Sequence, residues 1–194
     1  MKQRIDLKCH SSQEWVDGVM ADFDTFLQDH ANCERKASSM AMSFVAKFPN
    51  RVEIIPALIE TAVEELEHFR DVYKIMSDRN IQLPHEIGKD HYMIALIDLC
   101  RSGLEERFMD RLLLASLVET RGAERFKLIY EALPEGELKK FYRLLWASEA
   151  KHGEIFVDMA LQYFEKEEVY NRLEEMSLTE AKILESLPIK PALH

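Results

Sequence analysis

Glycine and proline are scarce, with six of each among 194 residues. A chain this poor in turn-formers cannot build the many short strands and tight turns of a β-sandwich or barrel. Cysteine is scarcer: Cys9, Cys33 and Cys100 form no CxxC pair and no even set. Reduced thiols in a cytoplasmic protein are the expectation. No apolar run reaches membrane-spanning length, and the opening "MKQRIDLKCH" has no apolar core of a secretory leader. Positive charge is in deficit as well. Lys and Arg number 25 against 35 acidic residues, a net charge of −10. The chain as a whole therefore carries no electrostatic footprint for nucleic acid, although a local basic patch remains open.

What is present is 47% hydrophobic and 31% charged residues, rich in Leu, Glu, Ala, Lys and Arg. This composition favours long helices in a single domain spanning residues 1–194. Ser11-x-x-Glu14 reads as a capping box for a first helix running toward Phe48. A second helix follows the "FPNR" turn and reaches about Arg79, with Pro56 in its first turn. Residues 80–103 form a long connection with a short helix at 91–101. Ser102-x-x-Glu105 opens a third helix to about Leu133, and a fourth runs from the Pro134 turn to about Phe164. Ser177-x-x-Glu180 opens a short terminal helix. Two helical hairpins joined by a long crossover is a recognised four-helix-bundle layout, and the 24-residue connection favours it over a simple up-down bundle or an irregular helical domain.

Each long helix carries an apolar stripe at helical spacing, and each stripe is interrupted by acid. Glu34 breaks the stripe Leu27, Ala37, Ala41, Phe44; Glu65 and His68 break Leu58, Ala62, Phe69, Val72. Glu119 breaks Leu112, Ala115, Ala123, Phe126, while Glu149 and His152 break Tyr142, Leu145, Phe156, Met159. Depth agrees with periodicity. Glu34 lies 15 residues before Pro49 and Glu65 16 after it; Glu119 lies 15 before Pro134 and Glu149 15 after it. At a rise of ~1.5 Å per residue, each hairpin sets its two carboxylates at one level, about 22 Å from its turn.

Buried carboxylates must be paired or neutralised. Four Glu and two His hold more acid than base, an imbalance that two divalent metals resolve. One Glu from each of two helices, with Glu-x-x-His from each of the other two, is the ligand pattern of ferritin-like di-iron and di-manganese proteins. A single Glu-x-x-His is weak, since it arises by chance on charged helices and a His on an apolar stripe is usually a packed core residue. The doubled motif with matched partner acids is specific. Glu64, Glu67 and Glu124 read as surface acids by their charged neighbours. His30, one turn before Glu34, reads as a packed His or a support for that carboxylate.

The segments "HANCERKA", "EELEHF", "GLEERFMDRLLLASLVETRGAERF" and "FYRLLWASEAKHGEIFVDMALQYF" resemble the bacterial tRNA hydroxylases that act on 2-methylthio-N6-isopentenyladenosine. The resemblance covers about residues 10 to 190. One expected "EARSCERF"-like segment stands here as "ETRGAERF", which alters local packing and keeps the acid. The resemblance implies a ferritin-like di-iron monooxygenase with Glu34, Glu65, His68, Glu119, Glu149 and His152 as ligands. It also implies O2 as co-substrate, tRNA as substrate, and electrons from a separate reductase or ferredoxin. The chain itself has neither GxGxxG nor a ferredoxin-type cysteine set. Arg101, Arg107, Arg111, Arg121 and Arg125 are candidates for a phosphate-binding patch, against the plainer reading of a salt-bridged helix surface. Other ferritin-like activities (oxidase, peroxidase, catalase, iron storage) and a metal-free helical adaptor are the alternatives.

Overall fold

The computed structural model describes residues 5–85 and 88–193; the first four residues of the leader reading and the terminal His194 lie outside that range. Among the described residues there are seven helices and no strand. They are α1 (Gln13–Ala21), α2 (Phe23–Lys47), α3 (Ile55–Asp78), α4 (His91–Asp98), α5 (Leu104–Ala132), α6 (Glu137–Ala160) and α7 (Lys166–Ser186). None is long and apolar enough to cross a membrane.

The chain forms two compact units. One is Asp17–Gly88 with Lys190–Leu193, built on the α2–α3 hairpin. Its core comes from the periodic positions, including Phe26, Leu27, Ala41 and Phe44 of α2 and Leu58, Ala62, Val72 and Met76 of α3. Ser38 Oγ donates to the Ala62 carbonyl at 2.7 Å, pinning the two helices side by side. Pro56 sits in the first turn of α3, where its missing N–H costs nothing. The tail returns to this unit: the Leu193 N–H donates to Asp29 Oδ2 at 2.7 Å.

The other unit combines the N-terminal residues to Val16 with Lys89–Ile189. The α5–α6 hairpin is its centre, and α5 is buried along most of its length because α4 and α7 also pack on it. Phe108, Leu112, Leu113, Ala115, Leu117 and Ile129 are fully enclosed.

Four boundaries differ from the sequence expectations. The first helix is broken at Asp22, whose side chain leaves the helix to accept from the Thr25 N–H at 3.2 Å and start α2 afresh. Ser12, not Ser11, caps α1 by accepting from the Trp15 N–H. Ser102 does not cap α5; Gly103 holds that position without a side-chain bond. The terminal helix is long, starting at Lys166, so Ser177 and Glu180 lie inside it. Both are held by distant partners: Ser177 Oγ donates to the Asp6 carbonyl, and Glu180 binds Arg121.

Candidate metal centre

Glu-x-x-His places the two side chains on one helical face, one turn apart. In the α2–α3 hairpin, Glu34 and Glu65 are buried and the His68 side chain is 15% exposed. His68 Nδ1 lies 3.8 Å from Glu65 Oε2 and 3.9 Å from Glu34 Oε2. Each of the three offers a ligand atom within 4.8 Å of the others'. His30, fully buried, stands behind them with Nε2 2.6 Å from Glu34 Oε1. The contact fixes which Glu34 oxygen faces inward. Of the two readings open for His30, support of Glu34 is the one the geometry gives.

The α5–α6 hairpin repeats the plan. Glu119, Glu149 and His152 are all buried, with ligand atoms again within 4.8 Å of one another. His152 Nδ1 is 2.8 Å from Glu149 Oε2. Gly153 sets how closely the helices approach. A Cβ there would meet Thr120 Oγ1 at 2.5 Å and the Ser116 carbonyl at 3.4 Å. Ser116 Oγ donates to the Gly153 carbonyl at 2.8 Å, and Thr120 Oγ1 donates to the Ser116 carbonyl at 2.7 Å. The register of α5 against α6 is thus locked beside Glu119 and His152.

Each cluster holds two buried carboxylates against one ligand imidazole. Left alone, two such charges in a low-dielectric interior are expensive. Oxygen donors with one nitrogen donor suit a hard or borderline divalent ion such as iron or manganese. The donor sets fit a metal.

The unit built on α5 and α6 also carries charge that the sequence analysis placed at the surface and the structure buries. Arg121 is fully enclosed; its Nε and Nη2 donate to Glu180 at 2.9 and 3.0 Å, and Nη2 also reaches the Cys9 carbonyl. Tyr92 donates to the same Glu180 at 2.8 Å. Burial pulls the Arg121 guanidinium down, but its bonds to Glu180 more than offset this and hold it above the ordinary arginine value. Burial pulls the Arg125 guanidinium down to about 10. That residue bonds Ser11 Oγ and lies over the Trp15 ring, 4.6 Å from its centroid. Glu124, read as a solvated acid, is instead partly buried, accepting from the Ser11 N–H and Oγ and from Arg121. Asp110, wholly enclosed, is clamped by Arg101 and Arg172. Arg101, Arg121 and Arg125 are therefore internal ties and do not form a free basic patch. The lone signals for these ties were charged residues at α5 core positions.

Two hairpins of long helices, each turning two carboxylates and an imidazole inward, define a ferritin-like helical bundle with metal-binding capacity. The solved structure of "Protein 43 with aldehyde deformylating oxygenase activity from Synechococcus" has the same fold, with a TM-score of 0.91 and 33% identity, covering 97% of this chain and 94% of that one. Within this class the chain belongs to the tRNA-(MS[2]IO[6]A)-hydroxylase (MiaE) family, whose model matches residues 2–194. The tRNA 2-(methylsulfanyl)-N(6)-isopentenyladenosine(37) hydroxylase of Pseudomonas putida is 31% identical over 180 residues, covering 93% of this chain and 87% of that protein. The enzyme of the same name from Salmonella typhimurium is 28% identical over 132 residues; the match spans 68% of this chain and 48% of that longer protein. The family is one of tRNA-hydroxylating enzymes.

Proposed function

We propose that residues 1–194 work as one ferritin-like domain that hydroxylates the isopentenyl group of 2-methylthio-N6-isopentenyladenosine in tRNA. The observation that carries this reading is the family match along the whole chain. The buried donor clusters support it independently. Glu34, Glu65 and His68 from one hairpin, with Glu119, Glu149 and His152 from the other, would hold two iron ions. When bound and reduced, iron supplies the oxidising power by which O2, two electrons and two protons give one inserted oxygen atom and one water.

The chain's own residues make that possible. The four carboxylates would offset the charge of the ions, and His68 and His152 would supply the nitrogen donors. His30 keeps Glu34 in its ligating orientation, as outer partners of ligands do. Phe26, Ala31, Leu58 and Ala62 are buried in the hairpin that carries Glu34, Glu65 and His68, and Leu112, Ala115, Phe126 and Phe156 in the hairpin that carries Glu119, Glu149 and His152. These apolar side chains exclude water. Electrons come from a separate reductase or ferredoxin, since this sequence carries no flavin- or cluster-binding motif of its own. The enzyme acts in the cytoplasm, where its tRNA substrate resides.

A second reading, oxygenation of an aldehyde, is favoured by one observation: the 33% identity to the Synechococcus protein. A single-turnover assay separates the two. Reduced, iron-loaded protein is mixed with O2 and either tRNA bearing the prenylated nucleoside or a long-chain aldehyde. A nucleoside heavier by one oxygen atom is expected. An unchanged nucleoside with loss of the aldehyde's formyl carbon would replace the first reading by the second.

A further inference from the structure

α6 differs from the rest of this acidic protein. Between Leu138 and Lys151 its one acidic residue, Glu149, is buried, so the solvent side of this stretch is wholly basic or neutral. Next to it stand two partly exposed aromatic rings. Tyr130 of α5 and Trp146 of α6 are stacked, with centroids 6.1 Å apart and planes 18° from parallel. Each ring has a lysine over it: Lys127 Nζ is 5.8 Å from the Trp146 centroid and Lys139 Nζ 5.4 Å from that of Tyr130. Arg143 lies exposed one turn before Trp146.

Core packing accounts for Phe126 and Tyr142, which are enclosed. It does not account for a stacked pair left at the surface under two cations. Aromatic faces interleaved with positive charge suit single-stranded RNA, whose bases stack on rings while its phosphates meet cations. We propose that Tyr130 and Trp146 form a stacking platform for unpaired bases of the tRNA, with Lys127, Lys139 and Arg143 contacting its phosphates. This inference rests on the tRNA reading above and assigns that substrate a surface. Lys127 pairs with Glu131 at 3.6 Å and Lys139 with Glu135 at 3.1 Å. Glu131 and Glu135 are exposed and such pairs are weak, so phosphates displace the carboxylates and draw the two lysines off the ring faces that the bases then cover. The platform is close to the chemistry. Trp146 precedes Glu149 by one turn, about 4.5 Å along the axis.

The test is equilibrium binding of a dye-labelled anticodon stem-loop RNA to the iron-loaded full chain across a salt series. Arg143→Gln removes one phosphate contact, so the slope of log K against log salt falls by about 0.7. Trp146→Leu leaves the slope unchanged but weakens binding roughly tenfold through lost stacking. The remaining tryptophan, Trp15, is buried, so RNA-induced quenching of tryptophan fluorescence disappears in Trp146→Leu. Lys74→Gln, on exposed α3, changes none of these. Wild-type constants and slope in both Arg143→Gln and Trp146→Leu, with a binding-competent wild type, overturn the inference and leave the tRNA reading intact. A wild type that does not bind the stem-loop overturns both. Should Trp146→Leu fail to fold, the slope of the exposed Arg143→Gln variant decides alone.

Discussion

Replacing Glu180 with Gln removes the counter-charge of a guanidinium that has no access to water. Arg121 is fully enclosed, and two of its donors end on Glu180 at 2.9 and 3.0 Å. What remains for it in Glu180→Gln is the neutral amide, the Cys9 carbonyl and one oxygen of Glu124 at 3.1 Å. Glu124 is partly exposed and its charge also acts on Arg125, so it cannot neutralise Arg121 fully. Breaking a buried pair by removing one partner costs about 3–5 kcal/mol. For a chain of this size that corresponds to a fall of about 6–20 °C in melting temperature. Thermal and urea unfolding of the metal-loaded protein measure it. The triple variant Tyr92→Phe, Arg121→Met, Glu180→Leu is expected to recover most of the loss, because apolar groups of similar volume leave neither a buried charge nor an orphaned hydroxyl. A Glu180→Gln variant within about 1 kcal/mol of wild type would refute the reasoning, since Glu180 would then not be the charge that Arg121 depends on.

Three further outcomes are expected. His30→Ala weakens metal binding by about 10- to 100-fold in chelator competition, because Glu34 loses the partner that orients it. Gly153→Ala costs about 1–3 kcal/mol in urea unfolding, since its new methyl group meets Thr120 Oγ1 and must either turn that hydroxyl off the Ser116 carbonyl or part the two helices. Burial raises the Asp110 carboxyl, but hydrogen bonds from Arg101 and Arg172 outweigh this and hold it below the ordinary carboxylate value. Its contribution is therefore present above the unfolded value of ~3.9 and lost as pH falls through the lower folded value. Asp110→Asn flattens the decline of the urea midpoint below about pH 4; a wild-type acid limb in that variant would remove Asp110 from the account.

The two hairpins were legible because periodicity and turn position both constrain where a side chain points. Glu34 and Glu65, at matched depth from Pro49, could only face the same level of the same hairpin. The same logic placed Glu119 and Glu149 about Pro134. Elements that depend on distant partners were not legible. Ser177-x-x-Glu180 has the pattern of a helix start, yet Glu180 is committed to Arg121, 59 residues away, and Ser177 to Asp6. Local spacing carries no trace of either bond. The true start of α7 had a signal in Val169, Leu173 and Met176, whose helical spacing continues into Glu180. The break at Asp22 was also readable in principle, because Asp before a helical run is a strong N-cap. Glu124 misled for the opposite reason: its neighbours on α5 are charged, but Ser11 from the far N-terminal segment covers it.

The central claim is that six side chains hold two metal ions, and an anaerobic ferrous titration tests it most directly. The account predicts about two irons bound per chain, falling to about one or none when Glu65 or Glu149 is replaced by Ala. A wild-type chain that binds no iron would contradict it, as would one that still binds two after all six ligands are replaced.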